Sequence, residues 1–247
     1  ASLLEQTFPK LNFAVVDHHE PEKVGEFPHF NVHLSGYNGA TDLSSSGSAY
    51  FVARELGENK DLCTIAIVGA VGDMQDSKGK LEGLNLEILK DGKENGLIDV
   101  RKDIRIFGRH SRPLTQFLSY CTEPFFPGLS ANENASREFL KDAGIKLADG
   151  AAGEKWRYYC DLSEDEKKRL VSALYVYGKD KGIPEFVLKT LIGDVYELKK
   201  EKDRTELKDA REFSTLLNAC GRHDRAELGL AVCMGDRGEA FEKARGV

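Results

Sequence analysis

The sequence predicts an α/β fold, and three stretches support it. Phe13-Ala14-Val15-Val16 is a short apolar run that reads as a buried strand, and Pro21 stops regular structure just beyond it. Behind the capping residues Thr41, Asp42 and Ser44–Ser46, the apolar residues Ala49, Val52, Ala53 and Leu56 recur at helical spacing until Gly57. Further along, Ser163-Glu164-Asp165-Glu166 is a capping box that opens a helix bearing Leu170, Val171, Leu174 and Tyr177.

The first strand is also where chemistry is expected. It ends in Asp17-His18-His19, and ligand sites of α/β sheets gather at the carboxyl ends of strands. Imidazole and carboxylate donors suit divalent metals such as manganese, iron or zinc. A surface turn or a satisfied buried pair explains two adjacent histidines just as simply.

Length and composition set the outer limits. The 247 residues allow one large domain or two modest ones. With 40% hydrophobic and 31% charged residues, the chain reads as globular and soluble rather than disordered. No apolar run is long enough to span a bilayer and no signal peptide precedes the first strand, so no membrane partner is expected. A chain that begins at Ala1 and enters the strand almost directly reads as trimmed or partial. Cys63, Cys121, Cys160, Cys220 and Cys233 are odd in number and lack Cys-x-x-Cys spacing, which fits a reducing cytoplasm. A net charge of −6 leaves any nucleic-acid contact to local patches.

Other stretches are taken in chain order. His29 and His33 read as loop or supporting residues rather than ligands. Ser46 and Gly47 open a helix whose free N–H groups suit a phosphate, though plain capping explains them too. Leu62–Asp76 is ambiguous: its β-branched residues favour a strand, whereas Leu62, Ile65, Ala66, Gly69 and Ala70 mark a helical face. Either way it is buried and closes on Asp73 and Asp76. A helix is expected from Asn132, with Ser136, Phe139, Leu140 and Ala143 inward and Gly144 as its stop. Gly178 is expected to end the capping-box helix, and Gly193–Glu201 reads as an alternating strand. Leu207–Ala219 reads as a helix with Gly221 as its C-cap. Arg222, His223 and Arg225 form the best cationic cluster for a phosphodiester backbone, with helix-dipole compensation as the competing explanation.

Taken together, Val15–Pro21, Thr41–Gly47 and Gly69–Asp76 resemble the DHH phosphoesterase superfamily. Phe107-Gly-Arg109-x-x-Arg112-Pro-Leu114 and Leu217-Asn-Ala-Cys-Gly-Arg222 are similar to archaeal RecJ-like, or GINS-associated, nucleases. These are relatives of the DHH-like subunit of the eukaryotic replicative helicase. The resemblance implies part of a parallel-sheet DHH domain over 1–108. An α-rich inserted module over 109–193 and the start of a C-terminal nucleic-acid-binding domain over 194–247 would follow. It further implies a metal-dependent exonuclease on single-stranded DNA or RNA, linked to replication or repair, with two manganese or magnesium ions.

Site residues carry over one by one. His18 and Asp73 match metal ligands, His19 matches the residue over the scissile phosphate, and Asp17 matches the acid that orients them. These four are the expected catalytic set. Phosphate or nucleic-acid contacts are expected at His19, Ser46, Gly47, Arg222 and Arg225. The module over 109–193 stands where archaeal relatives dock on the GINS complex. The family's earlier His-x-Asp-x-Asp motif and its later Gly-Gly-His motif have no counterpart here, and Asn31-Val-His33 replaces Asn-Pro-His. The chain therefore reads as a central portion with half of a two-metal site, inactive in isolation. A non-catalytic scaffold that binds GINS is the main alternative. A phosphodiesterase of short oligonucleotides or cyclic dinucleotides is another.

Overall fold

A computed structural model describes residues 6–8, 11–21, 24, 27–150 and 155–247. The chain forms two compact units, Ala1–Asp99 with Leu217–Val247, and Val100–Leu216. The motif-based limits at 108/109 and 193/194 fall inside the second unit. Ile104 and Ile106 join the core of the α-rich residues that follow.

In the first unit, β1 (Val15–Asp17) and β2 (His29–Asn31) pair in parallel. The register sets Val15 opposite His29 and Asp17 opposite Asn31, so both strands deliver a polar residue at their carboxyl ends. His29 is thus a strand residue, one of the two places expected for it being a loop and the other a supporting position. Asn31 caps a 3-10 turn over Val32–Ser35 by accepting the His33 N–H at 3.0 Å. Helix α1 (Ser45–Leu56) starts at the capping run, where Ser44 Oγ accepts the Gly47 N–H, and Gly57 closes it.

The ambiguous stretch is helix α2 (Cys63–Gly72). It is apolar all round, which suits a helix enclosed by its neighbours, and Ala66, Ile67, Val68 and Ala70 are buried. Its small residues let α1 come close: a Cβ on Gly69 would lie 2.1 Å from Ser46 Oγ. Helix α3 (Asn85–Glu94) packs on α2 with Ile88 and Leu89 buried.

Strand β3 (Ile98–Ile104) leads into the second unit. Helices α4 (Leu114–Ser119) and α5 (Glu133–Asp142) follow, then an antiparallel pair, β4 (Ala148–Asp149) and β5 (Lys155–Trp156). Next come α6 (Glu164–Asp180), α7 (Glu185–Lys189), β6 (Ile192–Leu198), which pairs with β3, and α8 (Ala210–Arg222). Leu114, Phe117, Leu118, Phe126, Leu140, Tyr159, Leu170 and Leu174 form one buried core. The caps at Asn132 and Ser163 stand as expected.

Three expectations need correction. Gly178 does not end α6, which runs on to Asp180. It is buried because α7 packs there, and a Cβ would lie 2.5 Å from Leu188 Cδ2. Gly221 does not cap α8, which continues to Arg222. The left-handed residue is Asp224 at φ 54°, and the Arg225 N–H returns to the Cys220 carbonyl at 2.8 Å. Strand β6 does not alternate, since Val195, Tyr196, Glu197 and Leu198 are all buried.

Glu197 is inside because an ion network needs it. The Arg109 guanidinium is buried and donates to Asp209 Oδ2 at 2.6 Å, Glu197 Oε1 at 2.7 Å and Asp103 Oδ2 at 3.1 Å. Asp209 also caps α8, accepting the Arg211 N–H at 2.9 Å. Tyr159 donates its hydroxyl to Asp103, and His110 Nε2 lies 3.1 Å from Glu197 Oε1. Glu212 accepts from the N–H groups of His110 and Ser111. Burial lowers the His110 pKa, yet hydrogen bonding to Cys160 and Glu197 carries it to about 9. Burial alone would raise Glu197, but His110 and the Arg109 and Arg101 guanidinium groups hold it at about 2.

The last helices, α9 (Ala226–Cys233) and α10 (Glu239–Arg245), pack on each other. No described helix is long and apolar enough to cross a membrane.

Two outcomes follow from the network. Arg109→Met leaves three carboxylates without their shared cation and should cost about 3–5 kcal/mol in denaturant unfolding. A loss under about 1 kcal/mol would refute this role, being no more than an exposed pair contributes. His110 has a raised folded pKa, so its contribution is complete below its ordinary value of 6.5 and is lost through about 9. Glu197 has a depressed one, so its contribution is present above 4.5 and is lost toward about 2. Unfolding midpoints measured between these limits should therefore peak on the mildly acid side of neutrality and fall on either side.

Candidate functional site

The carboxylate of Asp17, at the end of β1, is the hub of the site. Its Oδ1 accepts the backbone N–H of His18 at 2.8 Å, His19 Nδ1 at 2.8 Å and the Ser45 hydroxyl at 3.0 Å. Partial burial pushes its pKa up, but the hydrogen bonds from His19, the His18 N–H and Ser45 outweigh this and hold it at about 2. At neutral pH the group only accepts, so His19 Nδ1 carries a proton. The His19 side chain is 76% exposed and leaves Nε2 free for a ligand.

His18 is held differently. The Ser45 N–H, in the first turn of α1, donates to His18 Nδ1 at 2.7 Å. Nδ1 therefore keeps its lone pair, and the neutral ring carries its proton on Nε2. Adjacent imidazoles thus take opposite tautomers, with ring centroids 4.3 Å apart. Asp73 Oδ2 lies 3.6 Å from His18 Nδ1. Asp73 reaches it from the end of α2, where Met74 takes a left-handed φ of 61° and the Gln75 N–H returns to the Ala70 carbonyl.

Loops brace the turn. Asn31 Nδ2 donates to the His19 carbonyl at 2.8 Å, and the Gly39 N–H donates to His33 Nε2 at 3.3 Å. Gln75 Nε2 donates to the Gly39 carbonyl and to Asp73 Oδ2.

Of the residues expected from the sequence, Asp17, His18, His19 and Asp73 come together. Ser46 turns its hydroxyl to Ser44 and the Ala66 carbonyl, and the Gly47 N–H is taken by the Ser44 cap. Arg222 and Arg225 are exposed at the turn between α8 and α9, and Arg225 pairs with Glu227 at 2.8 Å. Ser45, Asn31, Gly39 and Gln75 were not anticipated. Ser45, Gln75 and Asn31 stand within motifs already singled out, and strand register sets Asn31 opposite Asp17.

One imidazole and one carboxylate are donors of the kind manganese accepts. Among the described residues no third His, Cys, Asp or Glu joins them in a cluster able to hold a metal ion. The donor set thus fits in kind and stops at two in number. The Ser45 N–H and a cation would also compete for the same Nδ1 lone pair.

Gly39 tests how tightly the turn is held. A Cβ there would lie 1.8 Å from the His18 carbonyl oxygen and 2.8 Å from His33 Nε2. Gly39→Ala should cost about 1–3 kcal/mol in thermal unfolding and should shift the amide NMR signals of His18 and Ser45. Unchanged signals would contradict this packing.

Residues 106–192 match the family model of the DHH-CID domain. The chain is 32% identical over 232 residues to the uncharacterized protein MJ0831 of Methanocaldococcus jannaschii, covering 92% of this chain and 47% of that protein. Its fold is similar to the crystal structure of CDC45 from Entamoeba histolytica, with a TM-score of 0.63 at 12% identity. That match covers 98% of this chain and 53% of CDC45, so the chain spans about half the length of the proteins it matches. The chain is a mixed α/β protein with a CDC45-like fold.

Proposed function

We propose that this chain supplies the Asp-His-His part of a DHH-type phosphoesterase that trims single-stranded DNA or RNA with manganese or magnesium. The observation behind this reading is the 3.6 Å approach of His18 Nδ1 and Asp73 Oδ2, beside a His19 ring fixed by Asp17. Asp17 stays ionised and orients the His19 imidazole, while the Ser45 N–H orients that of His18. With its Nδ1 proton engaged, His19 can take up a proton at Nε2 and then donate it to a phosphate oxygen. His18 and Asp73 would hold an ion, which when bound neutralises phosphoryl charge and acidifies a water. Arg222 and Arg225 would meet the phosphodiester backbone. The DHH-CID match and the fold shared with CDC45 support the reading. They also favour a second one, in which residues 109–193 dock on the GINS complex and the chain acts as a replication scaffold.

End-labelled single strands incubated with the full-length protein and manganese test both. Manganese-dependent loss of terminal nucleotides is expected, reduced at least about 100-fold by His18→Ala or Asp73→Ala. Absence of such cleavage would sink the enzymatic reading. Calorimetric binding of GINS by the same cleavage-inactive protein would then favour the scaffold.

A further inference from the structure

We infer that Gln75 is a positioning residue whose buried amide sets the Asp73 carboxylate toward His18. The inference deepens the proposed function, since it rests on Asp73 and His18 acting together there.

Gln75 is 3% exposed, although it lies only two residues beyond an Asp73 side chain that is 38% exposed. The left-handed turn at Met74 separates the two. Gln75 Nε2 donates to the Gly39 carbonyl at 2.8 Å and to Asp73 Oδ2 at 2.9 Å. Its Oε1 accepts from Asn85 Nδ2 at 2.7 Å. A carbonyl and an ionised carboxylate can only accept, so turning the amide over would set an oxygen against two acceptors. Its orientation is therefore determined. Asn85 is fully buried at the start of α3, and its own N–H donates to the Asp42 carbonyl at 3.0 Å, so the anchor is rigid.

The oxygen that Gln75 holds, Oδ2, is the one that faces His18 Nδ1. Without this hydrogen bond a half-exposed carboxylate is free to rotate, and ordering it for a ligand then costs conformational entropy. The same amide grips Gly39, which packs directly against the His18 carbonyl. One side chain thus references both proposed donors to a single frame.

Gln75→Leu removes every hydrogen bond, and Gln75→Glu keeps the shape while replacing the donor with an acceptor. Crystal structures of both variants, manganese titration by calorimetry, steady-state kinetics and thermal unfolding decide the matter. Both variants are expected to fold with the Asp73 carboxylate turned away from His18. Manganese affinity should fall about 10–100-fold, and kcat should fall while KM stays nearly constant. An unchanged Asp73–His18 separation would overturn the inference. So would variants that fail to fold, because Gln75 would then serve folding alone. A wild-type protein that neither binds manganese nor cleaves strands defeats the proposed function instead, and the carboxylate's position in the variant structures still decides the role of Gln75.

Discussion

A carboxylate that accepts three hydrogen bonds at one oxygen organises the first unit. Asp17 draws the His18 N–H, the His19 ring and the Ser45 hydroxyl to Oδ1, and so ties the end of a strand to the start of a helix. Ionisation favours this, because a charged carboxylate oxygen accepts hydrogen bonds more strongly than the carbonyl oxygen of a neutral carboxyl. Those same hydrogen bonds keep the group ionised, with a pKa of about 2. Once Asp17 is fixed, the His18 ring falls under the Ser45 amide and within 3.6 Å of Asp73. What surrounds the hub is mostly packing. Gly39 has no room for a Cβ against the His18 carbonyl, and Gly69 has none against Ser46.

The second unit solves the opposite problem. There a cation is buried, and three carboxylates from distant parts of the chain converge on Arg109. Asp103 comes from β3, Glu197 from β6 and Asp209 from the cap of α8, so one guanidinium joins a strand pair to a helix start. Such a network carries a heavy desolvation cost and tolerates no missing member. Burying Glu197 to complete it also breaks the alternation expected of β6.

How much of this was legible depends on the distance over which each interaction acts. Asp17, His18, His19 and Asp73 could be read directly, because they close elements and stand in short motifs. The caps at Ser163 and Asn132 were equally visible, since capping acts over three residues. The stretch from Leu62 to Asp76 could not be resolved, because an element apolar all round has no face to reveal its period. Gly178 and Gly221 misled for another reason. Glycine marks either a left-handed turn or a close approach, and only the packed neighbour tells which. Asn31 and Gln75 stand in motifs, but their partners and those of Glu197 and Asp209 lie across strand register or as many as 100 residues away, from Arg109 to Asp209, where sequence offers no local signal.

The opposed tautomers of His18 and His19 follow from two contacts, the Ser45 N–H on one ring and the Asp17 carboxylate on the other. Long-range proton–nitrogen NMR reads them on the neutral rings. His18 should show its proton on Nε2, with Nδ1 accepting from Ser45, while His19 should show its proton on Nδ1, donating to Asp17. Two rings in the same tautomer, or both averaging freely between the two, would contradict the account.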